Sequence, residues 1–195
     1  MPGSAAAEIA SAAARLVVDE GMEYAQAKRK AVRQLGRAAR GVELPSNEQV
    51  EDEVRSHLAL FHADTQPAEL RALRELALRW MQRLAAFRPH LGGAVWRGTA
   101  TRLSAVHLDL YCDDPKGAEI ELINLGVDYD AVSGDGDPHY LSVSEDCPAL
   151  GERITLFLAV RDLDDLRGAL KPDASGRSWR GDAAALQRRL LEGGP

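Results

Sequence analysis

The sequence predicts an α+β protein: an N-terminal four-helix unit over residues 1–91 packed on a small mixed β-sheet with flanking helices over 92–195, the two forming one compact body. Three observations point there. Apolar residues recur at helical spacing almost throughout 5–91, the period changes from 3.6 to 2 beyond His90-Leu91-Gly92-Gly93, and strand-like runs in the second half alternate with helix caps. A chain of 195 residues with 45% apolar and 28% charged side chains has a globular composition, and its length leaves no room for two full catalytic domains.

The elements follow in order. Ile9, Ala13, Leu16 and Val17 make one apolar stripe closed by Gly21, and Ala27, Ala31, Val32 and Leu35 a second closed by Gly36, glycine being favoured just past a helix end. Ser46 and Gln49 form a capping-box pattern ahead of Val50, Val54, Leu58 and Phe61, which predicts a third helix over 47–63. Thr65 and Pro67 open the fourth, with Leu70, Leu73, Ala77, Trp80, Met81, Leu84 and Phe87 on one face and Pro89 at its end. Residues 94–98 read as a short strand. In 104–112, Val106, Leu108, Leu110 and Cys112 fall on one face and Ala105, His107, Asp109 and Tyr111 on the other. Asp113-Asp114-Pro115 is a cap for a helix over 118–125. Residues 127–132 and 139–144 read as strands joined by the polar turn 133–138. The run 153–160, apolar on both faces, reads as a central strand, and 162–170 and 182–191 as terminal helices.

Charge and cysteine usage exclude several classes. The net charge of −6 repels phosphate backbones and anionic lipid except where cations gather, and 5% aromatics is too little for a base-stacking platform. Two cysteines, Cys112 and Cys147, fit neither a metal knuckle nor a redox pair, and suit a reducing compartment. The N-terminus has no basic region, Glu8 and Asp19 interrupt its apolar run, and no stretch approaches 18 apolar residues, so a cytoplasmic protein with no membrane partner is expected.

The segment from Gly98-Thr99 through Arg102, Ser104, His107 and Asp109 resembles the signature of the nucleotidyltransferase fold, the DNA polymerase β-like superfamily. In that family a strand ends in Gly-Ser or a close variant, and the next strand presents two carboxylates at alternate positions. Acids at i and i+2 on a strand share a face and can hold Mg²⁺ against nucleotide phosphates. With Asp109 as the second acid, His107 stands in place of the first; with Asp109 as the first, Tyr111 stands in place of the second. Matched to the family's Ser-Asp-apolar-Asp-Leu, Ser104 to Leu108 lacks both acids. The resemblance implies a sheet of nucleotidyltransferase type, with Gly98, Thr99, Arg102, Ser104 and Lys116 at phosphate. It implies Asp109, His107 and Asp130 in catalytic roles, and Mg²⁺ held by Asp109 with Asp128 or Asp130. Two acids missing from a metal site impair nucleotidyl transfer. The whole chain also resembles a group of short bacterial proteins carrying transferase-like or muramate–alanine ligase labels. The ligase chemistry is excluded by the absence of a Gly-x-x-x-x-Gly-Lys-Ser/Thr loop.

The expected function is therefore a divergent nucleotidyltransferase-like protein that binds a nucleotide or nucleic-acid phosphate with a divalent cation, its catalysis impaired. The alternative is a non-catalytic interaction module, recruiting RNA or a partner protein through the basic helix 28–40. Lys28, Arg29, Lys30, Arg33, Arg37 and Arg40 are six cations in thirteen residues; taking that +6 from the net −6 leaves −12 on the rest. An ordinary solvated face pairing with Glu43, Glu48, Glu51, Asp52 and Glu53 accounts for the same run. Glu119 and Glu121 point to different sides of their helix and are expected to be solvated. His57 and His62, five apart on one helix, do not share a face, so no zinc-type spacing is expected.

Overall fold

The computed structural model describes residues 5–36, 43–132, 139–173 and 176–193, and the polar turn at 133–138 lies outside them. The described residues form seven α-helices and one five-stranded mixed sheet, an α+β architecture. The chain divides into two compact units, Met1–Pro67 and Ala68–Pro195. No described helix is long and apolar enough to cross a membrane.

The first unit holds α1 (Ala5–Glu20), α2 (Tyr24–Gln34) and α3 (Asn47–Phe61) around Ile9, Ala13, Leu16, Ala27, Ala31, Val50, Val54 and Leu58. Small residues at Ala10, Ala13, Ala27 and Ala31 let the helix backbones approach closely. The capping box at the start of α3 is formed in both directions: the Gln49 N–H donates to Ser46 Oγ (3.1 Å) and the Ser46 N–H to Gln49 Oε1 (2.8 Å).

The fourth helix, α4 (Gln66–Arg83), buries Leu70, Leu73, Leu76, Trp80 and Met81 in the core of the sheet, with Leu84 just beyond its end. The first unit therefore has three helices where periodicity predicts four. A 3.6-residue stripe states that a face is buried and leaves open what it is buried against.

The sheet runs β1 (His90–Gly92), β2 (Val106–Tyr111), β5 (Glu152–Arg161), β4 (His139–Cys147), β3 (Asp130–Val132) across its width. β2 and β5 are parallel and every other pair is antiparallel. The crossover from β2 to β5 passes through α6 (Lys116–Asn124) and the β3–β4 pair, which is the long connection a parallel pair requires. Strand parity follows the sequence pattern. Val106, Leu108, Leu110, Leu156, Leu158 and Leu141 are buried on one face, with α4, α6 and Leu186 of α7 (Ala183–Glu192) in the same apolar cluster.

Two expected elements change. Residues 94–98 are not a strand; they fall in a short helix, α5 (Gly93–Arg97), capped by Gly98 at φ 85°. The β-branched and aromatic Val95-Trp96 favour a strand locally, but Arg74 donates to the Val95 carbonyl (3.1 Å) and Arg189 to the Trp96 carbonyl, satisfying the free carbonyls of a helix end. Residues 162–170 form only a 3₁₀ turn at Leu163–Leu166, entered through Asp162, whose carboxylate accepts the Asp164 N–H at 2.8 Å.

The segment before α7 is fastened to the outer edge of β1. Gly181 and Leu91 exchange backbone hydrogen bonds of 2.8 and 3.0 Å, and the Trp96 Nε1–H donates to the Ser178 carbonyl at 2.8 Å. A Cβ at Gly181 would stand 2.0 Å from the Trp96 ring. Gly181→Ala is expected to displace Trp96 and destabilise the protein by about 2–3 kcal/mol or more, read as a lower urea midpoint; an unchanged midpoint would show that the close approach carries no weight.

Candidate functional site

The face of the sheet opposite the main core carries the chemistry. Register places His90, Asp109, Ala159 and Tyr140 in one row across four strands, with Gly92, His107, Phe157, Ser142 and Asp130 in the next. Asp109 is the centre of the charged part. It is 8% exposed, accepts from Arg161 Nε at 2.7 Å through Oδ1, and pairs with Arg180 Nε through Oδ2. A carboxylate taken out of water needs such partners, and here each oxygen has one guanidinium. β2 supplies the acid, β5 one arginine, and the segment fastened to β1 the other.

The surroundings are ordered. The His107 ring stacks on Phe157 at 5.3 Å, and Gly93 lies against it so closely that a Cβ there would meet the ring at 3.3 Å. His90 Nδ1 donates to the Arg88 carbonyl (2.8 Å), which fixes its tautomer, and its ring meets Tyr111 edge-on at 5.2 Å. Burial, then the charge of Asp109, pushes the Tyr111 phenol up despite the opposing pull of Arg180 and Arg161. At Arg161 burial acts to lower the pKa, but the hydrogen bond and charge of Asp109 outweigh it and the net direction is up. Burial, aided by repulsion from Arg189, pulls Arg74 down to about 10, which leaves its guanidinium charged at neutral pH.

A groove of about 870 Å³ opens along the same edge, lined by Met81, Ala85, Leu166, Leu170 and Pro172, with Gln82, His90, Arg88, Lys171 and Asp182 as its polar members. That volume falls in the range of small-molecule sites.

The residues expected from sequence are only partly gathered. His107 and Asp109 share a face as predicted, and Asp130 lies on that face, but two strands lie between it and His107, three inter-strand steps or about 14 Å at ~4.8 Å each. Asp128 precedes β3, and both it and Asp130 are exposed. Gly98 caps the C-terminal end of α5, where carbonyls rather than N–H groups are free, and Thr99 is buried with its hydroxyl unpartnered. The glycine pair that does follow a strand end is Gly92-Gly93, at the close of β1. Arg102 is engaged structurally: its N–H donates to Glu69 Oε2 and its guanidinium to Glu152 Oε1, both at 2.9 Å. Ser104 Oγ accepts the Thr101 N–H (3.0 Å), and the Lys116 N–H donates to Asp114 Oδ1 (2.9 Å), the expected cap. Mg²⁺ therefore finds one carboxylate, already held by two arginines, with Asp128 and Asp130 not assembled beside it, and this donor set does not fit an oxygen-coordinated Mg²⁺ site.

The other expectations resolve similarly. On α2, Lys28 Nζ donates to the Pro45 carbonyl (3.1 Å) and Asn47 Oδ1 (2.8 Å) and Lys30 pairs with Glu20, while Arg29 and Arg33 are exposed; Arg37 and Arg40 lie outside the described residues. Glu119 is not simply solvated: it accepts from the Tyr129 hydroxyl at 2.9 Å and faces His139 Nε2 at 3.2 Å, tying α6 to β4. Sequence reasoning missed Arg161 and Arg180. The available signal was an acid on the inner face of a predicted strand, which demands a cation, and an arginine closing the one strand that is apolar on both sides.

Asp109→Asn is expected to cost about 2–3 kcal/mol in urea denaturation, because it leaves two part-buried guanidiniums without their counter-charge, while Asp130→Asn stays within about 0.5 kcal/mol; equal losses would refute the central role of the Asp109 clamp. Compared with known proteins, the chain matches no family model, no curated protein and no solved structure.

Proposed function

We propose that the second unit is a metal-independent binding module for a phosphorylated small molecule, of which a nucleotide is the leading case, on a nucleotidyltransferase-like sheet that lacks the acid pair for transfer. The observation that carries this reading is the clamp at Asp109. Two guanidiniums and one carboxylate leave one positive charge, held rigidly on a half-buried sheet face. Such a group attracts phosphate and repels a divalent cation. Arg161 and Arg180 remain partly exposed, so their outward N–H groups are open to a ligand while Asp109 fixes their orientation. His107, stacked on Phe157, supplies a further polar edge in the next row. The groove beside His90, apolar along most of its length with Arg88 and Lys171 in its lining, suits the uncharged body of the same ligand.

The test is thermal stabilisation of the full chain by ATP, CTP and pyrophosphate, each in EDTA and in Mg²⁺. The expected result is stabilisation that is undiminished in EDTA and an affinity about tenfold weaker in Arg180→Ala, which keeps the Asp109–Arg161 pair and whose fold is checked by circular dichroism. A response confined to Mg²⁺, or none to any of the three anions, overturns the reading.

A further inference from the structure

The first unit contains an independent cluster at the C-terminal ends of two helices. Asp19 lies in the last turn of α1, His57 in the last turns of α3, and His62 immediately after α3. The helix ends at Phe61, and His62 has left the helical path at φ −130°, ψ 16°. The rule that positions five apart cannot share a face holds only for a continuous helix; with the helix terminated, the His62 ring reaches the same carboxylate as His57, so the expectation of no zinc-type arrangement is corrected here.

Three geometric facts go beyond chance proximity. His57 Nε2 and His62 Nε2 stand 3.5 and 3.6 Å from one oxygen, Asp19 Oδ1, and all three ligand atoms lie within 4.8 Å of one another. These separations are long for hydrogen bonds. The two Nε2–Oδ1 separations lie close to the roughly 3.3–3.5 Å edge of a tetrahedron of donors placed at zinc's ordinary bond lengths. The exposures grade outward, with the side chains of His57, His62 and Asp19 at 14%, 34% and 51%, so a fourth position faces water. The Phe61 ring, one helical turn from His57, lies 4.7 Å from its imidazole and presets the ring's orientation. Neither α1 nor α3 has a basic residue in its last turn, so the negative ends of both helix dipoles are uncompensated where the three groups meet.

We propose that Asp19, His57 and His62 bind a divalent transition-metal ion of the zinc class, with water as the fourth ligand. Two imidazole nitrogens and one carboxylate suit Zn²⁺ and its neighbours rather than Mg²⁺ or Ca²⁺, which take oxygen donors. The ion links the end of α1 to the end of α3. The site lies wholly in the first unit and does not depend on the role assigned to Asp109.

The experiment is calorimetric titration of the EDTA-stripped full chain with Zn²⁺ and, separately, Mg²⁺, with circular dichroism to verify the fold. One Zn²⁺ per chain and no heat with Mg²⁺ are expected. His62→Asn, at a part-exposed position beyond the helix, should keep the parent's spectrum and melting temperature without metal and lose about 100-fold or more in zinc affinity; Asp19→Asn should do the same. A parent chain that binds no Zn²⁺, or variants that bind it at the parent's affinity and stoichiometry, would overturn the assignment.

Discussion

The second unit depends on the way one carboxylate, Asp109, is satisfied. β2 cannot place an ionised acid on a covered sheet face without cations, and the two that answer it come from 52 and 71 positions further along the chain. Arg161 closes β5 and so fixes the parallel pairing at the register where Tyr111 faces it. Arg180 precedes Gly181, whose backbone completes the edge of β1 and whose missing side chain admits Trp96. One loop is thus held by charge on one face of the sheet and by packing on the other. Such coupling costs more to break at one partner than its net contribution suggests, because the groups left behind stay part-buried and unpaired.

The arginines around α5 show the same logic on the apolar side. Arg74 is almost fully buried, and Arg189 lies over the Trp96 ring at 3.7 Å. Both direct N–H groups at carbonyls that a five-residue helix leaves free. Their mutual repulsion and burial are offset by those hydrogen bonds and by the aromatic face, so a segment whose residues favour an extended chain is held helical.

Legibility from sequence follows the range of the forces involved. Elements set by local pattern were readable: the alternation of Val106 to Tyr111, the Ser46–Gln49 box, the Asp114 and Asp182 caps, and the central position of the strand ending at Arg161. Elements set by distant partners were not. Helix α5 depends on Arg74 and Arg189, the burial partner of α4 on the sheet, and the Asp109 clamp on residues far along the chain. Asp128 and Asp130 share a strand face only if β3 starts at 127, and it starts at Asp130. The pairing of His57 with His62 is hidden for a related reason, since helical spacing stops at Phe61, one residue before His62.

The proposed binding role of the Asp109 face agrees with the state of the groups beside it. Tyr111, beside the clamp, has its phenol pushed up by burial and by Asp109, so it stays protonated and cannot act as a base at neutral pH. Cys112, next in sequence, has its thiol pushed up by burial and by Asp114 and Asp113, and its Sγ–H donates to the Asp114 carbonyl, so the nucleophilic thiolate is suppressed. Asp109 itself is occupied on both oxygens. A guanidinium pair stabilises negative charge, but it has no coordination site in which to activate water and no proton to give near neutrality. In the proposed reading, the two guanidiniums recognise phosphate without the carboxylate pair that metal-assisted transfer requires.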